Sequence, residues 1–352
     1  MSFKKNKNYN QYRDQTKLVR GGLFRSTHGE TSEAIFMNSG YVFNSAEEAK
    51  ARFAGELEGY LYSRYGNPTV TMFEERMALN EGSETCFATA SGMAAVFASL
   101  LSCLKSGDHV VSSRALFGSC YHIIDQILPR YGIDVNLVDG TDESQWEKHI
   151  TKNTKCVFFE TPSNPSMEIV DIKLVSDIAH KNGAIVIVDN IFASPVLQKP
   201  MEFGADVVVY SGTKHIDGQG RSMGGAILSS IKFREEYLKP YIRHTGPTLS
   251  PFNAWILLKG LETLEIRMNQ HCYNASKIVR YLNNHKLISK TIYPGLETHP
   301  QFELAKKQML QSGSIVTFII KGGKEKAFHF MNHLKVFDIS NNLGDTKSLV
   351  TH

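Results

Sequence analysis

The sequence has few cysteines, no long apolar run and no strong charge of either sign. Its five cysteines are widely spaced, and none forms a CxxC pair for zinc or redox work, so we expect reduced cysteines in the core. No run of about eighteen apolar residues occurs, and residues 1–20 carry charges throughout without the apolar centre of a signal peptide. These absences predict a cytoplasmic protein with no membrane partner.

The charge and composition exclude further classes. A net charge of +4 is mild, and we interpret the clearest basic run, Lys4-Lys5-Asn6-Lys7, as a solvated arm, so no nucleic-acid partner is expected. No internal repeat or low-complexity tract is visible. With 352 residues, 42% hydrophobic and 21% charged, the chain can bury a large core and should hold more than one domain.

Lys214 is the most informative residue that is present. It follows the apolar run 207–209 and the small polar residues Ser211, Gly212 and Thr213. Two hydroxyls and a glycine after a buried strand supply donors that approach a phosphate closely, and an amine beside them reaches a carbonyl on the same ligand. Pyridoxal 5'-phosphate (PLP) needs this arrangement. The alternative for this segment alone is a solvated lysine at a strand end.

A second chemical group is predicted at Asp189. It ends the continuous apolar run 185–188, which is typical of a strand buried on both faces. At the carboxyl end of a parallel strand, an aspartate points into the ligand crevice of an open α/β sheet. Paired with a pyridine nitrogen, Asp189 would keep that nitrogen protonated. A turn or helix-capping aspartate is the alternative.

Two more segments fit a bound phosphate ester of a pyridine ring. In Ser91-Gly92-Met93 a short strand gives way to a helix, whose first backbone N–H groups form an anion site. After another strand, two prolines stiffen the loop Pro162-Ser163-Asn164-Pro165, so the Asn164 amide can bond the ring hydroxyl. The alternatives are an ordinary serine cap for Ser91 and a plain turn for Asn164.

The pattern of apolar runs predicts an α/β protein. Strands are expected to begin near Cys86, His109, Val135, Lys155, Ala184, Asp206 and Gly225, giving a mostly parallel seven-stranded sheet. Helices should follow Pro68, Gly92, Ser119 and Ile172, the last with a left-handed cap at Asn182-Gly183. The run 254–268 predicts one long helix into a second domain.

These segments, in this order and spacing, resemble the Cys/Met-metabolism family of PLP-dependent enzymes. Two more stretches match it, Tyr62-Ser63-Arg64-Tyr65-Gly66-Asn67-Pro68-Thr69 and Leu249-Ser250-Pro251-Phe252-Asn253-Ala254-Trp255, and the likeness runs from about Thr16 to the last residue. The resemblance implies the PLP-dependent transferase type I fold, which is aspartate-aminotransferase-like. It divides the chain into an N-terminal arm (1–61), a PLP-binding large domain (62–250) and a smaller α+β C-terminal domain (251–352) that is incomplete.

Within the family, the segments Gly29-Glu30-Thr31-Ser32, Thr213-Lys214-His215-Ile216-Asp217 and Gly344-Asp345-Thr346-Lys347-Ser348 are most similar to the O-succinylhomoserine sulfhydrylase branch. That resemblance implies γ-replacement on O-succinylhomoserine with sulfide, which gives homocysteine and succinate in methionine biosynthesis. A cystathionine γ-synthase, a γ-lyase and a weakened fragment are the alternatives. The substrate is thus an O-acylhomoserine, and the resemblance leaves open whether its acyl group is succinyl or acetyl.

The resemblance also implies individual roles. Lys214 carries the cofactor and moves protons, with Tyr62 helping, because Phe117 stands where the family generally has a tyrosine and keeps only its stacking face. Tyr62 and Arg64 reach the phosphate bound by a neighbouring subunit, which implies a homodimer that pairs into a homotetramer. Ser348 contacts the substrate carboxylate. In the family, the arginine that binds the substrate carboxylate follows the position of residue 352. A chain that stops there should therefore retain its PLP binding better than its catalytic turnover.

Two other classes fit less well. A nucleotide-binding oxidoreductase would rest on the glycines of residues 218–224, but the third is one residue late, the segment precedes a strand, and no P-loop exists. A scaffold that has lost catalysis is disfavoured because Lys214 and Asp189 are both present.

Overall fold

A seven-stranded sheet forms the centre of the chain. The computed structural model describes residues 9–352, so the predicted basic arm at residues 4–7 lies outside them. The strands are β1 (Thr85–Thr89), β2 (His109–Ser113), β3 (Asp134–Val138), β4 (Thr154–Glu160), β5 (Ile185–Asp189), β6 (Val207–Ser211) and β7 (Gly225–Ser229). All seven predicted strands are confirmed, each starting within one residue of its expected position.

The order of the strands is β1-β7-β6-β5-β4-β2-β3, and β7 alone runs against its neighbours. The central strands β4, β5 and β6 consist mainly of Val, Ile and Phe, and helices cover both faces of the sheet. This explains their continuous apolar runs, because a strand buried on both faces has no polar side. Two apolar cores result, one on each face. The predicted fold class, a mostly parallel α/β sheet of type I, is confirmed.

Fourteen α-helices are found within residues 9–352. They are α1 (Asp14–Arg20), α2 (Ala46–Ala54), α3 (Pro68–Glu81), α4 (Gly92–Leu101), α5 (Gly118–His122), α6 (Glu143–His149), α7 (Ile172–Lys181), α8 (Ser194–Leu197), α9 (Ile231–Phe233), α10 (Lys239–Thr245), α11 (Pro251–Leu261), α12 (Leu264–Asn283), α13 (Phe302–Gln308) and α14 (Gly323–Asn332). Side-chain caps begin several of them: Asp171 accepts from Leu174 N at 3.0 Å at the start of α7. Gly183 follows α7 with φ +81°, as predicted for its cap.

The single long helix predicted over 254–268 is wrong. The chain forms α11 and α12 instead, with a break at Glu262 and Thr263. Gly260 packs so closely that a Cβ there would meet the Ile216 carbonyl oxygen at 2.1 Å. Its own carbonyl accepts from Nη2 of the buried Arg267 at 2.7 Å. This tertiary bond replaces a helical one, and apolar periodicity does not reveal it.

The C-terminal part contains two small sheets, in which β8 (Ile288–Ile292) pairs antiparallel with β9 (Thr317–Ile320), and β10 (Asp338–Ile339) pairs parallel with β11 (Leu349–Val350). Its last loop lies on the segment after β6, since Thr346 N donates to Gly218 O at 2.9 Å. The predicted division at residues 61 and 250 stays a prediction. All five cysteines are buried and free, as expected, and no helix within residues 9–352 is long and apolar enough to cross a membrane.

A buried polar network supports the ends of β5 and β6. Tyr210 donates from its hydroxyl to Oε2 of Glu81 at 2.5 Å, and Asn190 Nδ2 donates to the Tyr210 oxygen at 2.6 Å. Gln198 Nε2 then donates to Asn190 Oδ1 at 2.8 Å. The other oxygen of Glu81, Oε1, has no hydrogen-bond partner within the described chain. Burial raises the pKa of Glu81 to about 8.

This raised pKa predicts a pH-dependent stability. The unfolded chain releases the Glu81 proton near pH 4.5 and the folded chain near 8, so this group costs the folded state stability progressively as pH rises between those values. We expect the stability of Glu81→Gln relative to wild type to increase by on the order of 2–4 kcal/mol between about pH 5 and pH 8. Urea unfolding across this range measures the difference. Parallel stability curves for the two proteins would contradict the prediction.

Candidate active site

Nine of the twelve predicted site residues lie at one edge of the sheet. Strands β1, β4, β5 and β6 end there, and β7, running the other way, begins there with Gly225. Gly225 pairs with Ser211 on one side and Thr89 on the other. Glu160 pairs with Asp189 on the neighbouring strands. The carboxyl ends of parallel strands in an open α/β sheet form the usual ligand crevice, so this edge is the candidate site.

Lys214 lies in a wide turn at residues 212–216 that follows β6. Its backbone leaves the helical region, with φ −95° and ψ −125°. The ammonium Nζ donates to Oδ1 of Asn342 at 2.8 Å, and partial burial lowers the lysine's pKa. The amine is thus directed by a fixed partner and shifted toward its neutral, nucleophilic form, which the alternative of a solvated strand-end lysine does not provide.

An anion cradle lies beside the lysine. Helix α4 points its first backbone N–H groups, those of Gly92 and Met93, toward the crevice, and Ser91 caps the helix by accepting from Ala94 N at 3.1 Å. A Cβ on Gly92 would meet the Ser211 Cβ at 2.6 Å and its Oγ at 2.9 Å. Glycine here allows the helix N-terminus to pack directly on the Ser211 hydroxyl. Two donor sets from distant segments therefore share one small volume.

Thr213 contributes to the same corner. Its Oγ1 accepts from Gly224 N at 3.3 Å, which joins the segment after β6 to the start of β7. The hydroxyl retains its own proton for a further acceptor.

Asp189 is buried at the end of β5. Its Oδ1 accepts from Ile191 N at 3.0 Å, so the turn role considered above is also present, while Oδ2 faces the Cys120 thiol at 3.9 Å. No ion pair to Asp189 occurs in the part of the chain that the structure describes. Burial raises its pKa to about 7. A cationic ligand nitrogen would therefore be strongly favoured beside it.

Phe117 and Asn164 flank Asp189. Phe117 is the N-cap residue of helix α5 and is 43% exposed, whereas the phenylalanines of β4 are fully buried. Asn164 is half-buried in the loop after β4. The backbone N–H groups of both residues approach the Glu160 carboxyl, which is paired in register with Asp189, so both segments lie next to the end of β5.

Two residues of the site were missed by the sequence analysis. Asn342 lies in the C-terminal part and contacts Lys214 across 128 residues of sequence, a distance at which no local pattern gives a signal. Glu160 ends β4 beside Asp189 and accepts from Phe117 N at 2.7 Å. The signal for Glu160 was available, because it ends an apolar strand in the same way as Asp189.

Three predicted residues do not meet Lys214 in this chain. Ser348 is exposed, and its carbonyl accepts from Asp338 N at 2.9 Å in the small parallel sheet. Tyr62 and Arg64 lie on a separate cleft of about 470 Å³. The Arg64 guanidinium lies 5.4 Å from the Tyr62 ring centre and 4.7 Å from that of Tyr65, and it donates to the Arg243 carbonyl. No hydrogen bond joins these three residues to Lys214 within residues 9–352.

The residues at the sheet edge fit PLP. Glycine at position 92 leaves room for a phosphate at a helix N-terminus, Lys214 supplies a partly desolvated amine, and Asp189 supplies a buried carboxyl without an ion pair.

Comparison with known proteins agrees with this site. The family model for "Cys/Met metabolism PLP-dependent enzyme" matches residues 15–352. O-succinylhomoserine sulfhydrylase of Mycobacterium tuberculosis is 53% identical over 338 residues, covering 95% of this chain and 83% of that protein. The enzyme of the same name from Pseudomonas aeruginosa is 48% identical over 337 residues, covering 96% of this chain and 83% of that protein.

A solved structure shares the fold. A putative O-acetylhomoserine (thiol)-lyase from Campylobacter jejuni, described with a pyridoxyl-lysine monophosphate residue, superposes with a TM-score of 0.92 at 33% identity and covers 97% of this chain and 93% of that one. The family match spans the strand ends, the lysine turn and the C-terminal loop alike. This chain therefore belongs to the Cys/Met metabolism family of PLP-dependent enzymes.

Proposed function

We propose that the protein catalyses γ-replacement on O-succinylhomoserine, with sulfide as the acceptor and homocysteine and succinate as products. The observation that carries the proposal is the identity of 53% and 48% to two relatives that are named O-succinylhomoserine sulfhydrylase, at nearly full coverage of this chain. The site supports it, because the reaction needs proton transfers at two carbons and the crevice holds a partly desolvated amine beside the cofactor residues.

Each residue has a proposed task. Ser211, Thr213 and the N–H groups of Gly92 and Met93 bind the phosphate, and Ser91 orients that helix start. Asp189 pairs with the ring nitrogen, Phe117 stacks on the ring face, and Asn164 bonds the ring hydroxyl. When bound, PLP withdraws electrons from the substrate carbons, which makes their protons removable.

Lys214 moves the protons. Lys214 would hold the cofactor, and its partly buried amine, with a lowered pKa, would serve as a base for a substrate proton beside it. Asn342 accepts from its Nζ and so limits where the amine points. Phe117 has no hydroxyl and takes no part in proton transfer. The hydroxyl of Tyr62 from the neighbouring subunit is proposed to assist Lys214 in proton transfer.

The proposed assembly is a homodimer that pairs into a homotetramer. Residues 35–62 expose an unusual number of large apolar side chains: Ile35, Met37, Val42, Phe53, Leu57 and Tyr62. A second copy covering this segment would bury these side chains. Tyr62 and Arg64 of one copy would then reach the PLP phosphate bound by the other copy. The predicted role of Ser348 as a carboxylate ligand is retained as a proposal, although its exposure argues for a small contribution.

The acceptor decides between the proposal and a cystathionine γ-synthase. We expect PLP-loaded protein given O-succinylhomoserine and sulfide to form homocysteine, and the same protein given cysteine to form little cystathionine. Mass analysis of both mixtures, with O-acetylhomoserine run in parallel, gives the acceptor and the acyl group together. Cystathionine as the main product would replace the proposal by the synthase, and oxobutyrate formed without any acceptor would replace it by a γ-lyase.

A further inference from the structure

Glu160 is a buried carboxyl for which the family roles proposed above give no use. It ends β4, is 2% exposed, and is paired in register with Asp189 on β5. Residues paired in parallel strands point to the same face, with backbones about 5 Å apart. Two carboxyls therefore share one dry corner of the crevice.

No cation neutralises this pair. Within residues 9–352 neither Glu160 nor Asp189 takes part in an ion pair, and the nearest titratable neighbour is the thiol of Cys120 on α5, 3.9 Å from Asp189 Oδ2. Burial and the Asp189 charge both raise the pKa of Glu160, and burial together with the two carboxyls raises that of Cys120. Two neighbouring buried carboxyls do not readily ionise together, so at most one is charged.

Two backbone N–H groups lower the pKa of Glu160, but burial and the neighbouring Asp189 outweigh them and raise it. Its Oε2 accepts from Phe117 N at 2.7 Å, which fixes the residue that starts α5. The backbone N–H of Asn164 also points at this carboxyl. Glu160 thus holds the two segments whose side chains would flank the bound ring, whereas Asp189 would face its nitrogen. A cationic nitrogen favours the charge on Asp189 and leaves the proton on Glu160.

We propose that Glu160 is a positioning residue for PLP: as a neutral acid it fixes Phe117 and the Asn164 loop, and it leaves Asp189 as the single charged carboxyl. This inference rests on the roles proposed for Asp189 and Phe117, and it is independent of which acyl group or acceptor the enzyme uses.

The test compares Glu160→Gln and Glu160→Ala in the PLP-loaded full chain without substrate. The amide still accepts from Phe117 N and is neutral like the acid, so Glu160→Gln should bind PLP within about 3-fold of wild type. Its pH midpoint for the absorption of bound PLP should also be unchanged. Glu160→Ala leaves the Phe117 N–H unpaired and should bind PLP about 10-fold more weakly or worse.

Asp206→Ala is the matched control. Asp206 accepts from Val186 N at 2.8 Å near the opposite end of β5, so its loss should lower the melting temperature without changing PLP affinity. Wild-type PLP affinity in Glu160→Ala would overturn the proposal, because Glu160 would then be structural only. A midpoint lowered by about one pH unit or more in Glu160→Gln would also overturn it, since an ionised Glu160 had then been removed. The pH midpoint of Glu160→Gln tests the proposal even if Glu160→Ala does not fold.

Failure of the proposed reaction is distinguishable from failure of this inference. PLP affinity and absorption are measured without substrate, so a different acceptor leaves both unchanged. Asp189→Ala, measured alongside, should weaken PLP binding whatever the result for Glu160; if it does not, the ring-nitrogen role itself is wrong.

Discussion

Replacing Lys214 by alanine should lower homocysteine formation by roughly 10³-fold or more, because one side chain supplies both the cofactor attachment and the proton transfers. Within residues 9–352, Lys214 is the one lysine that donates a hydrogen bond to Asn342. We therefore expect no other lysine to substitute for it. Initial rates with O-succinylhomoserine and sulfide, at saturating PLP, measure the effect.

The control for this prediction is Lys173→Ala. Lys173 lies on α7, is exposed, and pairs only with Asp177 on the same helix, so its loss should leave the rate unchanged. Adding a small primary amine to Lys214→Ala should restore part of the rate, because a diffusible base can occupy the vacated space. A Lys214→Ala enzyme that retains a tenth of the wild-type rate without added amine would contradict the proposed role.

The positions of the strands and their ends could be predicted because a strand buried on both faces consists of a continuous run of apolar residues. A run such as residues 185–188 has no polar side, and the first polar residue after it marks the crevice. Asp189 and Lys214 were found in this way. The same reasoning applied to residues 154–160 would have identified Glu160, whose carboxyl ends its strand in the same manner.

The contacts that could not be predicted are those that depend on tertiary packing. Asn342 meets Lys214 only because the C-terminal loop folds back over the segment after β6, where Gly344 lies so close that a Cβ would meet His215 N at 2.5 Å. The break between α11 and α12 likewise depends on Arg267 binding the Gly260 carbonyl. Asn342 lies 128 residues from Lys214, and Arg267 is held in place by bonds to the distant His215 and Ile216 carbonyls, so neither periodicity nor a local motif encodes these contacts.

A mixture of two inactive variants should recover activity if Arg64 serves a neighbouring subunit. Arg64→Ala removes a guanidinium from the phosphate, a loss of about 1.5–3 kcal/mol of charge-assisted bonding, so at limiting PLP it should be nearly inactive. In a mixed dimer with Lys214→Ala, one site lacks both residues and the other has both. With random pairing of equal amounts, about a quarter of all sites are intact, and about a quarter of wild-type activity should return.

The geometry within one chain is the reason to expect this result. Arg64 lies on an exposed cleft and bonds the Arg243 carbonyl, and it has no hydrogen bond to Ser211, Thr213 or Lys214 in the described chain. The matched control is a mixture of Lys214→Ala with Asp189→Ala. Those two residues share one site within a chain, so every site in their mixed dimer lacks one of them and no activity should return. If the Arg64 mixture stays as inactive as this control, Arg64 acts within its own subunit and the proposed shared site is wrong.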